Sequence, residues 1–161
     1  MTSRYCLDAN VFIQAKNGPY GLDFHPSFWK FMAVQVDAEV ICSPKMVYDE
    51  LASGEDDLAD WVKDRKDQGM FVVPDERIQV VFGDIADNVE QKYANHHARL
   101  FLDGADPWVI AHAKVQGAVV VTHEKLVNDE SAKVKIPNVC VHFGVKYVDT
   151  YEMLRTLGAR F

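Results

Sequence analysis

Apolar residues recur along this chain in two alternating patterns. Short blocks of consecutive apolar residues cover positions 4–7, 39–42, 70–73, 118–122 and 139–142, each bounded by turn-forming or polar residues. Such blocks predict short strands covered on both faces. Between them, apolar positions fall three and four apart, the spacing of one helix face. This predicts helices over 10–18, 27–37, 44–54, 56–67, 75–98 and 104–116, and a closing helix from Asp149. Phe28, Phe31 and Met32 mark the second helix, Leu58, Trp61 and Val62 the fourth, and Ile78, Val81, Phe82 and Ile85 the fifth.

Local signals set the element ends. Ser43-Pro44 reads as an N-cap followed by proline at the first helical position, and Gly54 and Gly117 read as C-terminal stops. The stretch 18–26, with two glycines and two prolines, predicts a loop, and 128–135 predicts a polar one. Asp149 with Glu152 predicts a capping box. Strands alternating with helices imply a mainly parallel α/β sheet covered by helices. No repeat, low-complexity tract or linker divides the chain, so one domain over 1–161 is expected.

Composition narrows the class. Of 161 residues, 48% are hydrophobic and 25% charged, as expected of a globular chain with a sizeable core. No apolar run is long enough to span a bilayer, and the first residues lack the apolar segment of a signal peptide, so a cytoplasmic protein is expected. Cys6, Cys42 and Cys140 all fall in predicted strands and read as buried free thiols. No Cys/His spacing suits zinc, and His96-His97 reads as a solvated helix end. The net charge of −7 disfavours wholesale binding of a polyanion and confines any nucleic-acid contact to local basic side chains.

The candidate chemistry lies in four acids. Asp8 follows the first strand and Glu124 the fourth, where ligands of open α/β sheets bind. Glu50 shares a helix face with Met46, Val47 and Gly54, which places it on the core side. Asp106 heads an apolar stripe through Ile110 and Ala113, and before Pro107 it also reads as an N-cap. Asp103, just before Gly104, reads as a loop residue. Each acid has a plain alternative as a turn, cap or solvated residue. No glycine-rich phosphate loop or serine elbow offers a competing chemistry.

In order and spacing, Leu-Asp8-Ala-Asn10, Glu50, Ala-Asp106-Pro-Trp-Val-Ile-Ala-His-Ala113 and Val-Val-Thr122-His-Glu124 resemble the PIN-domain ribonucleases. Lys135-Ile-Pro-Asn-Val-Cys140 is similar to a PIN-like subfamily classed as a domain of unknown function. The resemblance covers nearly the whole chain. It implies a three-layer α/β/α fold with a five-stranded sheet in the order 3-2-1-4-5. It also implies that Asp8, Glu50 and Asp106 hold Mg²⁺ or Mn²⁺ for hydrolysis of RNA phosphodiester bonds. Glu124 stands where the family usually has Asp, one methylene longer, and Asn10 and Thr122 match accessory polar positions. Lys16, Lys45 and Lys125 are candidate phosphate contacts. Similar proteins include VapC-type toxins, which implies an antitoxin partner; a homodimer through the Trp61 helix is a further expectation. Two other readings stay open: a non-catalytic binding module with a degenerate acidic site, and a phosphotransfer enzyme of the haloacid-dehalogenase type with Asp8 as nucleophile. The second is disfavoured because Asn10 replaces that type's second acid.

Overall fold

The computed structural model describes residues 3–161. Five parallel strands form one sheet in the order β3-β2-β1-β4-β5. They are β1 (Tyr5–Leu7), β2 (Ile41–Pro44), β3 (Phe71–Val72), β4 (Val119–Val121) and β5 (Tyr147–Val148). Tyr5 pairs with Ile41 on one side and with Val119 on the other, which centres β1 in the sheet. All three β1 residues are buried, although successive side chains of a strand point to opposite faces. Both faces of the sheet are therefore covered, as the apolar blocks require.

Two groups of helices provide the cover. The first comprises α1 (Ala9–Asn17), α3 (Lys45–Ala52) and α4 (Asp57–Asp64), with α2 (Pro26–Asp37) against β2. The second is built round α7 (Asp106–Gln116), which packs on β1, β2 and β4 and on α5 (Glu76–Lys92), α6 (Asn95–Asp103) and α8 (Ile136–Phe143). The chain closes with α9 (Thr150–Thr156), where the Asp149 carboxylate accepts from the Glu152 N–H as the capping signal predicts. Gly117 ends α7 in the left-handed region (φ 65°), which glycine adopts without strain.

Several sequence expectations are corrected. Residues 139–142 belong to α8 instead of a strand, so Cys140 is helical, and the fifth strand is Tyr147–Val148. Ile136, Val139 and Cys140 are buried at helical spacing behind Pro137 at the helix start. The predicted helix 75–98 is two helices, broken at Tyr93 and Ala94. Ser43 and Pro44 lie in β2 and pair with Phe71 and Val72; the Ser43 hydroxyl donates to the Leu7 carbonyl (2.8 Å) instead of capping α3. Asp103 ends α6 and is not a loop residue. Trp61 is packed inside, 5.0 Å from Trp29 and 6.4 Å from Phe12 between ring centroids, so it offers no open apolar surface for a homodimer. The three cysteines are free, as expected. Among the described residues, no helix is long and apolar enough to cross a membrane.

Candidate active site

The sheet order reverses direction between β1 and β4, and in such sheets ligands bind outside the carboxyl ends of the strands at that reversal. Asp8 sits at this point. Its backbone is extended and it caps α1, with Oδ1 accepting from the Asn10 N–H at 2.9 Å. Its other oxygen, Oδ2, accepts from the Thr122 hydroxyl at 2.9 Å. Thr122 follows β4 as Asp8 follows β1, and its backbone N–H bonds Val148 of the next strand, so the sheet itself fixes the pair. Both residues are buried. Asn10 contributes its backbone N–H to this arrangement.

Glu50 reaches the same edge from α3, but it is exposed, contrary to the core-side placement drawn from its helix face. The stripe through Val47 and Leu51 is the buried one, and Glu50 lies at its margin. Its Oε1 accepts from the Ala105 N–H at 3.1 Å, which ties α3 to the junction of α6 and α7. That bond leaves Asp106 unoccupied as a cap. Ala105 is the N-cap residue, without a side-chain bond, and Asp106 is the first residue of α7. Among the described residues no group donates to its carboxylate.

Glu124 has a different attachment. Its N–H donates to the Thr122 hydroxyl oxygen (3.1 Å), and its Oε1 accepts from the Ile136 N–H at 2.7 Å. Its carboxylate thus caps α8, a helix whose own N-cap residue, Lys135, provides no side-chain bond.

The acids share one field. Burial raises the Asp8 carboxyl to about 6, against the lowering effect of its bonds from Asn10 and Thr122, and the charges of Glu124 and Glu50 raise it further. Asp106 is pushed up to about 7, first by burial and then by Asp8, Glu124 and Glu50, while Lys135 pulls it down. The charges of Glu50 and Glu124 thus disfavour ionisation of both Asp8 and Asp106 at one sheet edge. As the side chains stand, however, no three His, Cys, Asp or Glu residues among those described are close enough to hold one ion.

The candidate phosphate contacts are placed unequally. Lys16 is bound to Asp56 (2.5 Å) with Asp57 at 3.7 Å, and Lys45 to Asp49 (3.1 Å), so both are engaged with carboxylates. Lys125 is exposed beside His123. Lys135, at the end of the predicted polar loop, stands beside Asp106 and lines a cleft with it.

The family model described as a domain of unknown function (DUF4411) matches residues 5–161. The chain belongs to the DUF4411 family. No curated protein sequence matches it. Two solved structures resemble it in fold. VapBC2 from Rickettsia felis, bound to a DNA fragment from its promoter, matches with a TM-score of 0.52 at 14% identity, covering 90% of this chain and 97% of that one. VapBC-1 from nontypeable Haemophilus influenzae matches with a TM-score of 0.52 at 20% identity, covering 90% and 96%. With the strand order 3-2-1-4-5, these likenesses establish a PIN-like fold for this DUF4411 chain. At such identities they concern the fold alone.

Proposed function

We propose that this DUF4411 protein is a metal-dependent endoribonuclease and the toxin of a toxin–antitoxin pair. One observation carries the reading: at the carboxyl ends of β1 and β4 the carboxyls of Asp8 and Asp106 are both raised, by burial and by the charges of Glu50 and Glu124. Buried like charges are costly unless a cation offsets them. The donor set is all oxygen, which suits Mg²⁺ or Mn²⁺, hard ions that retain waters and need few direct carboxylates. Asp8, Glu50 and Asp106 would hold the ion. Asp8 is pinned by two hydrogen bonds and Glu50 by one, each leaving lone pairs free, and Asp106 is unbonded. When bound, the cation would supply an activated water and offset charge on the scissile phosphate.

The residues themselves divide the work. Thr122 and the Asn10 N–H orient Asp8, and the Ala105 N–H orients Glu50. Asp106, to which no group among the described residues donates, keeps its whole carboxylate available to the ion. The VapBC likenesses support a protein antitoxin as partner for this chain. The test is RNA cleavage with Mn²⁺ by wild type and by Asp8→Asn/Asp106→Asn. Metal-dependent cleavage lost in the double variant supports the assignment, and equal cleavage by both removes it.

The capping bond of Glu124 favours a second reading, a non-catalytic binding module whose acidic site no longer turns over. That reading predicts RNA binding without cleavage in any divalent ion.

A further inference from the structure

Beside Asp106 lies a cleft of about 210 Å³ whose walls include His97, Leu100, Lys133 and Lys135. The α6 helix supplies the first two and the segment leading into α8 the others. Among the described residues, neither lysine makes an ion pair, whereas Lys16, Lys45 and Lys92 all do. In a chain of net charge −7, two lysines without an ion pair line this cleft together with Asp106, a local concentration of positive charge beside the acidic site. Surfaces that bind polyanions despite an unfavourable net charge need such a concentration. The same cleft also has an imidazole and an apolar side chain among its lining residues. The His97 ring lies 3.9 Å from that of His96, centroid to centroid, and Leu100 is 78% exposed. Cations together with ring or apolar faces are the combination that holds single strands, charge along the backbone and stacking for the bases.

We propose that this cleft carries the phosphodiester backbone of single-stranded RNA to the acidic edge, with Lys133 and Lys135 contacting phosphates and His97 and Leu100 facing a base. The proposal rests on the ribonuclease reading for its destination, the acids, but concerns binding. Lys135 acts as a positioning residue on the substrate's phosphate, adjacent to Asp106.

The experiment titrates a fluorescein-labelled single-stranded oligoribonucleotide in EDTA over a range of salt, followed by anisotropy. It compares wild type, Lys133→Ala/Lys135→Ala and Lys133→Arg/Lys135→Arg, with thermal melting as the check on folding. The alanine pair is expected to weaken binding roughly tenfold or more. It should also reduce the slope of log affinity against log salt by about 0.7 per lysine, the value for a single-strand phosphate contact. In Mn²⁺ it should raise KM and leave kcat near wild type, and the arginine pair should restore both. If wild type binds and the alanine pair keeps its affinity and salt slope, the cleft assignment is overturned, whatever the cleavage assay shows. Binding that depends on the lysines without Mn²⁺-dependent cleavage sinks the nuclease reading and leaves the cleft standing. If wild type fails to bind RNA at all, or binds only an acidic peptide there, the proposal is overturned.

Discussion

The hydroxyl of Thr122 donates to the buried carboxylate of Asp8 at 2.9 Å, joining the ends of two adjacent strands at the reversal of the sheet. This bond favours the ionised form of Asp8, against the burial that raises it to about 6. Thr122→Val keeps the shape and removes both the donor to Asp8 and the acceptor of the Glu124 N–H. It is expected to cost roughly 1–2 kcal/mol, the scale of a buried hydrogen bond to a carboxylate. The Asp8 carboxyl then moves above 6, so the acid limb of a pH–rate profile shifts to higher pH. Denaturant unfolding and a pH profile of RNA cleavage measure the two effects. An unchanged acid limb in a folded variant removes Asp8 from the rate-determining ionisation.

The raised Asp106 carboxyl makes a prediction about the metal-free protein. Its folded value, about 7, lies above the ordinary 3.8, and that of Asp8 is about 6. Between these limits the folded state binds more protons than the unfolded one, so both groups remove stability as pH rises from about 4 to about 7. In EDTA, Asp106→Asn should therefore be more stable than wild type at pH 8, by up to about 4 kcal/mol, with the gap closing towards pH 4. Mn²⁺ should stabilise wild type increasingly as pH rises, and stabilise the variant less. Melting curves across pH with and without Mn²⁺ check both. A Mn²⁺ effect of equal size in the two proteins contradicts a role for Asp106 in holding the ion.

Legibility of the sequence followed local signal strength. The strands around Cys6, Cys42 and Val120 were legible because buried central strands are continuous apolar blocks, and Asp8 was legible as the acid ending one. The run 139–142 was not, because four apolar residues fit a covered strand or one face of a helix equally well. Pro137 before it and burial at Ile136, Val139 and Cys140 decide for the helix. The actual fifth strand, Tyr147–Val148, has two residues and no period to read. In the site, Asp106 carried its own misleading signal. Asp before Pro favours a cap, yet the cap position is Ala105, and Glu50 reaches from α3 to bond that residue's N–H. Contacts between residues 55 positions apart leave no local trace. The same holds for Lys135, whose nearness to Asp106 depends on how α8 returns to the sheet.

His112 on α7 is fully buried, and neither ring nitrogen has a hydrogen-bond partner. Burial holds its imidazole down to about 4 from the ordinary 6.5, against the opposing charge of Asp75. The ring is therefore neutral in the fold, and between pH 6.5 and 4 the unfolded chain binds more protons. This group contributes stability that is present above 6.5 and lost as pH falls towards 4, the opposite slope to that of Asp106. His112→Leu removes the unpaired polar atoms and should stabilise by about 1–3 kcal/mol, the cost of leaving such a group buried without a partner. Its advantage over wild type should widen as pH falls from 7 to 4.5. Parallel melting curves for the two proteins over that range mean that His112 takes up its proton alike in the folded and unfolded chain and is not held neutral by burial.

Glu124 separates a structural role from a ligand role by the choice of substitution. Its Oε1 accepts from the Ile136 N–H at 2.7 Å, and an amide oxygen accepts in the same way. A carboxylate that only caps α8 and holds the Lys135 segment in place can be replaced by glutamine at little cost. Glu124→Gln should then retain most of the cleavage activity, whereas Glu124→Ala should lose about 1 kcal/mol of stability, as for a lost helix cap, with a several-fold drop in activity. A carboxylate that binds the cation behaves differently: glutamine loses its charge, and both variants fall together in metal affinity. Mn²⁺ titration by calorimetry, paired with unfolding of the metal-free variants, distinguishes the cases. The capping geometry predicts that Mn²⁺ affinity follows Asp8 and Asp106 and is nearly indifferent to Glu124→Gln.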